Sequence, residues 1–152
     1  MTTQNAPAVR FPPPLVFLGF LLLGPVLQML VRLPPLALPW PIAAAITVAG
    51  LAVIIAAEQR FRKTGENPIP WTGTATVIET GIYRFTRNPM YLGMAIMQAG
   101  LALWLGSLWA LLLVPVSAAI IQTAVIAKEE AYLATAFGDA YAAYCQRVRR
   151  WI

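Results

Sequence analysis

Four stretches of this chain carry no charged side chain: about Leu15–Val31, Trp40–Ala57, Pro89–Leu105 and Leu108–Ala127. No other feature of the sequence constrains the fold as strongly. Each is close to the roughly 20 residues that an α-helix needs to cross ~30 Å of hydrocarbon. Hydrocarbon offers the backbone no water, so a spanning segment must satisfy its own N–H and C=O groups, as a helix does. Hydrophobic residues make up 59% of the 152 and charged residues 11%, against a charged share of about 25% in soluble domains. The chain therefore reads as an all-α integral membrane protein. It forms one domain over residues 1–152, with four transmembrane helices and an amphipathic helical tail at the C-terminal end.

Proline and glycine mark the boundaries. Met1 to Pro14, with Pro7, Pro12, Pro13 and Pro14, reads as a short lead that is poorly ordered or interfacial. A signal peptide is disfavoured, because Arg32-Leu33-Pro34-Pro35 follows the first apolar run in place of a small-residue cleavage site. Pro25 and Pro115 are expected to kink the first and fourth spans. Pro39 and Pro41 open the second, and the charged group Glu58, Arg60, Arg62, Lys63 closes it. Gly106-Ser107 is a minimal turn, so the third and fourth spans form an antiparallel hairpin, with Trp104 and Trp109 at the interface beside it. Gln98 and Gln122, inside those spans, suit hydrogen bonds between helices. Thr64 to Thr80 is a polar loop of a length that is either functional or a plain surface connection.

Charge sets the orientation. Four spans put Arg10, Arg60, Arg62, Lys63, Arg84, Arg87, Lys128, Arg147, Arg149 and Arg150 on one side and Arg32 alone on the other. This bias places both termini, the 58–88 segment and the tail in the cytoplasm. The net charge of +5 is thus a matter of membrane orientation, and nucleic acid is not an expected partner. With no histidine and a single cysteine, Cys145, the chain lacks the usual metal ligands and the usual general base near neutral pH.

Two polar patches meet on the cytoplasmic face. Tyr83, Arg84, Arg87, Asn88 and Tyr91 stand at the mouth of the third span; Lys128-Glu129-Glu130 stand at the exit of the fourth. Asn88 is a good N-cap and Pro89 suits the first helical position. The hairpin should bring Glu129 and Glu130 near Arg87 and Asn88. Arginine and a helix start can hold a carboxylate, a glutamate an ammonium or ribose hydroxyl, and tyrosine rings a sulfonium or an adenine. S-adenosylmethionine carries all of these groups. The same residues also fit a plainer reading, in which the arginines anchor a helix at the headgroups and pair with the glutamates.

Past Lys128, Leu133, Phe137, Tyr141, Tyr144, Val148 and Trp151 recur at helical spacing and give the tail one apolar face, broken at Gly138-Asp139. That face can lie on the membrane or fold back over the polar loop.

Gly81-Ile82-Tyr83-Arg84, then Arg87-Asn88-Pro89-Met90-Tyr91-Leu92-Gly93, then Glu129-Glu130 with Leu133, Phe137-Gly138, Tyr141, Tyr144, Val148 and Arg150-Trp151, resembles the isoprenylcysteine carboxyl methyltransferase and phospholipid methyltransferase superfamily, in particular its bacterial members. The likeness covers about Phe61 to Trp151. Two departures stand out: Asn88 replaces a frequent histidine, and Val125, Ile126 and Ala127 hold no arginine ahead of the glutamates. The resemblance implies an S-adenosylmethionine-dependent methyltransferase of the bacterial inner membrane, with the cofactor held by about residues 61–152. Tyr83, Arg87, Asn88, Tyr91, Gly93, Glu129, Glu130, Tyr141 and Tyr144 would bind the cofactor, with Arg87 and Glu130 as the catalytic pair and the Tyr141–Tyr144 helix as a cover. The acceptor would be lipophilic, a prenylcysteine-like carboxylate or another lipid-like molecule entering from the bilayer. Two alternatives stand beside this reading. One is an NADPH-dependent reductase of the sterol-reductase type, with Arg147, Arg149 and Arg150 on a 2′-phosphate. The other is a non-catalytic membrane partner protein.

Overall fold

Helices account for the architecture, and no strand occurs among the described residues, which are 6–9, 11–69 and 71–152 of a computed structural model. Arg10, counted in the charge bias, lies outside them. The order is α1 (Pro13–Leu30), α2 (Trp40–Thr64), a 3-10 turn (Gly81–Arg84), α3 (Pro89–Trp104), α4 (Leu108–Leu112), α5 (Val114–Ile121), a π-helical turn (Gln122–Ile126) and α6 (Ala127–Arg147). Three helices are long and apolar enough to cross a membrane: α1, α2 and the continuous run Leu108–Arg147. Their outward faces are apolar, with Leu15, Leu22, Val48, Leu51 and Val116 exposed.

Proline acts as expected at the starts of helices. Pro13 and Pro14, Pro41, and Pro89 occupy first-turn positions, where a missing N–H costs nothing. Pro25 lies inside α1. Around Pro115 the fourth apolar stretch breaks at Leu113, which separates α4 from α5. The Glu58–Lys63 cluster does not stop the second helix. The helix runs on to Thr64, with Arg62 and Lys63 in its last turn and Gly65 at φ 73° as a left-handed cap.

α2 and α3 lie against each other through glycine. A Cβ added at Gly50 would stand 2.5 Å from the Met97 backbone nitrogen, and one at Gly100 2.5 Å from that of Thr47. Between helices in lipid there is little hydrophobic drive, and small residues let backbones approach closely enough for dispersion to act. α1 meets α4 in the same way, at Gly24 and Ala110. At one end of the bundle the Gly106-Ser107 turn joins α3 to α4. There the Ser107 hydroxyl accepts from the Ala110 N–H at 3.2 Å, the Leu36 N–H donates to the Gly106 carbonyl, and Trp109 Nε1 donates to the Val31 carbonyl at 2.8 Å. The bond between helices expected of Gln98 is present, because its Oε1 accepts from Ser117 Oγ at 2.6 Å.

The opposite end gathers the polar segments. The chain turns at Gly138, whose φ of 50° and ψ of −122° leave the helical region. Beyond it, Tyr141, Tyr144 and Val148 pack with Leu133, Phe137 and Val77. The apolar face of the tail is thus folded over the 64–80 loop. The described part of the lead packs too: Val9 is buried with Phe17, Tyr91, Ile121, Val125 and Ile126. The rest of the lead's first ten residues, 1–5 and Arg10, lies outside the described residues.

Gly50→Ala is expected to lower the stability of the purified protein by about 2 kcal/mol, the usual cost of forcing a methyl group into a closed contact. Thermal unfolding in detergent measures this, and a wild-type transition would mean that α2 and α3 do not meet here.

Candidate functional site

The site is assembled from the ends of helices. α2 ends on it with Phe61, α3 starts on it with Pro89, Met90 and Tyr91, and α6 enters with Glu129, Glu130 and Leu133. Together with the loop they line a cavity that is open at its mouth.

Eight of the nine cofactor residues expected from the sequence line it: Tyr83, Arg87, Asn88, Tyr91, Glu129, Glu130, Tyr141 and Tyr144. Gly93 does not. A Cβ there would stand 2.7 Å from Ile54 Cγ1 and 2.8 Å from the Gly50 carbonyl, so Gly93 belongs to the seam between α2 and α3. The loop contributes Asn67, Thr72, Thr74, Thr76, Val77 and Ile78 to the lining, which the sequence reading did not assign. Tyr132 pins it, its hydroxyl accepting from the Thr74 N–H at 3.3 Å.

Asn88 occupies the N-cap position of α3, but its side chain does not cap. Its Nδ2 donates to the Arg150 carbonyl at 3.0 Å. Thr86 serves the local backbone instead, accepting from the Asn88 N–H at 3.2 Å while its hydroxyl donates to the same Arg150 carbonyl. The Arg87 N–H donates to the Arg149 carbonyl at 3.0 Å. These bonds strap the extended segment after α6 across the start of α3. Trp151 extends the strap, donating from Nε1 to Gln122 Oε1 at 2.7 Å. The partner of Gln122 is therefore the tail and not a neighbouring span. Its place within the π-helical turn is typical, since such turns recur at functional sites.

The two glutamates differ sharply. Glu130 accepts a fork from Arg150, Nε to Oε1 at 3.0 Å and Nη2 to Oε2 at 2.6 Å. Arg87 Nη1 stands 3.4 Å from Oε1, too far for a good hydrogen bond. Glu129 has no arginine partner among the described residues; it accepts from the Tyr91 hydroxyl at 2.7 Å. Arg87 also contacts Cys145 Sγ through Nη1, and its Nε is buried with no partner. Donation of these hydrogen bonds to Glu130 raises the Arg150 pKa above its ordinary value.

Tyr91 and Tyr144 are held by their hydroxyls. Tyr144 donates to the Tyr83 carbonyl at 2.8 Å, and the Tyr141 and Tyr144 rings stand 6.2 Å apart. Phe61 and Tyr83 meet edge to face at 6.0 Å. Burial pushes the Tyr83 phenol well above the usual tyrosine range, with Tyr144 and Glu129 adding to the shift, so it stays neutral. The lining also holds apolar side chains, among them Phe61, Ile69, Ile78, Met90 and Leu133. The site thus joins charged, aromatic and apolar side chains at the end of helices suited to a membrane. It can hold a molecule that carries both charge and a planar ring, beside a lipophilic one.

The phospholipid methyltransferase family model matches residues 40–140. This chain belongs to the phospholipid methyltransferase family. The match spans the whole of α2, the loop, α3 to α5 and most of α6, and so includes most of the cavity. A relative from Haemophilus influenzae, described only as an uncharacterized protein, is 43% identical over 63 residues, which make up 41% of this chain and all of that one. Family membership and apolar helices together make this a methyltransferase-family protein of the membrane.

Tyr91→Phe removes the donor to Glu129 and is expected to cost about 2 kcal/mol, as for a lost hydrogen bond to a charged group. Glu129→Gln keeps an acceptor and should cost less. Thermal unfolding of the two variants in detergent tests the order; a reversed order would mean that the 2.7 Å bond does not hold in solution.

Proposed function

We propose that this chain is a methyltransferase that uses S-adenosylmethionine and methylates a lipophilic small molecule drawn from the bilayer. The observation that supports it best is the meeting, in one cavity, of a buried and incompletely paired arginine, a carboxylate with no arginine partner among the described residues, and five tyrosines. These groups fit the cofactor. Arg87 would take its carboxylate and Glu129 its ammonium or a ribose hydroxyl. The faces of Tyr83, Tyr91, Tyr141 and Tyr144 would take the adenine and the cation. When bound, S-adenosylmethionine supplies an electrophilic methyl group on sulfur. The residues of the chain then align the acceptor with it and exclude water, which is the main demand of such a displacement.

The strong Arg150 fork leaves Glu130 poorly suited to accept a proton, so any base role passes to Glu129. A carboxylate acceptor, such as that of a prenylcysteine-like molecule, needs no base. An amine acceptor does need one, and it is favoured by a specific observation: once Arg87 holds the cofactor, no second cation among the described residues lines the cavity. The reductase alternative is weakened because Arg147 and Arg150 are engaged by Glu79 and Glu130 and none of the three tail arginines lines the cavity.

In this reading α3 is the third of four spans. Its 16 residues give about 24 Å at ~1.5 Å each, so its ends would lie within the interfaces. The basic residues would then face the cytoplasm, in the inner membrane of a bacterium.

Calorimetry on detergent-purified protein tests the assignment. S-adenosylmethionine and S-adenosylhomocysteine should bind saturably, and Arg87→Ala should weaken both at least about tenfold, the loss typical of a buried charge pair. Binding of NADPH alone would transfer the protein to the reductase class, and unchanged binding by Arg87→Ala would remove the assigned role of that residue.

A further inference from the structure

Arg150 was left outside the site by the sequence reading and does not line the cavity, yet it holds the geometry on which Arg87 depends. Arg87 and Glu130 are both mostly buried, with side chains 14% and 17% exposed. Two opposite charges so placed, with nothing else nearby, would close into a short ion pair. They stand 3.4 Å apart, while both carboxylate oxygens of Glu130 accept from the shorter Arg150 fork. A planar fork matched to a carboxylate is the strongest arrangement available to the pair. The consequence appears on Arg87: one nitrogen touches Cys145, and Nε is buried without a partner. The backbone fixes Arg150 independently of its side chain, since its carbonyl accepts from both Thr86 and Asn88 on either side of Arg87. The strap therefore delivers the fork at the position where it competes with Arg87 for Glu130.

We propose that Arg150 is a positioning residue that draws Glu130 away from Arg87 and so keeps the Arg87 guanidinium available for the carboxylate of a bound ligand. The proposal rests on the methyltransferase reading for the identity of that ligand. Without Arg150, Glu130 closes on Arg87, and the anion site is filled from within. A neutral residue at 130 cannot fill it in this way.

The test is a double-mutant cycle on full-length protein in detergent, read as the dissociation constant of S-adenosylhomocysteine by calorimetry. Arg150→Ala should weaken binding by at least about tenfold, and Arg150→Ala with Glu130→Gln should recover most of that loss, a coupling that neighbouring charges show and distant sites do not. Arg150→Lys keeps the charge without the fork. It should show a smaller loss, also relieved by Glu130→Gln, and it carries the test if the alanine variant does not fold. Wild-type affinity in Arg150→Ala would overturn the proposal. So would a loss that Glu130→Gln leaves untouched, because Arg150 would then act as scaffold or as a direct ligand contact. Failure of the wild-type protein to bind S-adenosylhomocysteine would instead overturn the assignment of function, so the two failures are distinct.

Discussion

The contact between α2 and α3 depends on the absence of side chains. Gly50, Gly93 and Gly100 leave no room for a Cβ between the two backbones, and in hydrocarbon such closeness replaces the burial that holds soluble helices together. The seam fixes where Phe61, at the end of α2, stands relative to Tyr91, at the start of α3. The distance across the cavity follows from that. Gly93, expected from the sequence to touch a ligand, contributes instead by allowing the two helices that frame the cavity to meet.

Much of the fold was legible because the membrane removes alternatives. A run without charges has few ways to satisfy its backbone, so Leu15–Val31 and Trp40–Ala57 resolve into α1 and α2. The Gly106-Ser107 turn fixes the hairpin, and with it the meeting of Arg87 and Glu130. Where the sequence left two outcomes for the tail, packing decided: Tyr141, Tyr144 and Val148 cover Val77 rather than lying outward. The less legible features are those set by competition between partners. Asn88 has the chemistry of a helix cap, but a carbonyl from residue 150 offers its amide a bond that draws it away. Arg150 sat in plain view at the end of the recognisable pattern. A census of charges, with two glutamates and two arginines to be paired, was the one available sign that it would matter.

The two neighbouring carboxylates show how environment divides like residues. Glu130 is held by guanidinium on both oxygens, while Glu129 accepts from a tyrosine hydroxyl and keeps capacity to spare. Their separation into a structural anion and an available one requires no difference in residue type, only a strap on one side and a ring on the other.

That strap has a consequence for the order of assembly. The partners of Arg150 at Thr86 and Asn88 precede it by 64 and 62 residues, and Trp151 reaches back to a turn made 29 residues earlier. Every apolar helix is synthesised before them and can enter the lipid on its own terms. In order of synthesis, then, the residues that complete the charged part of the site come after every apolar helix that frames it.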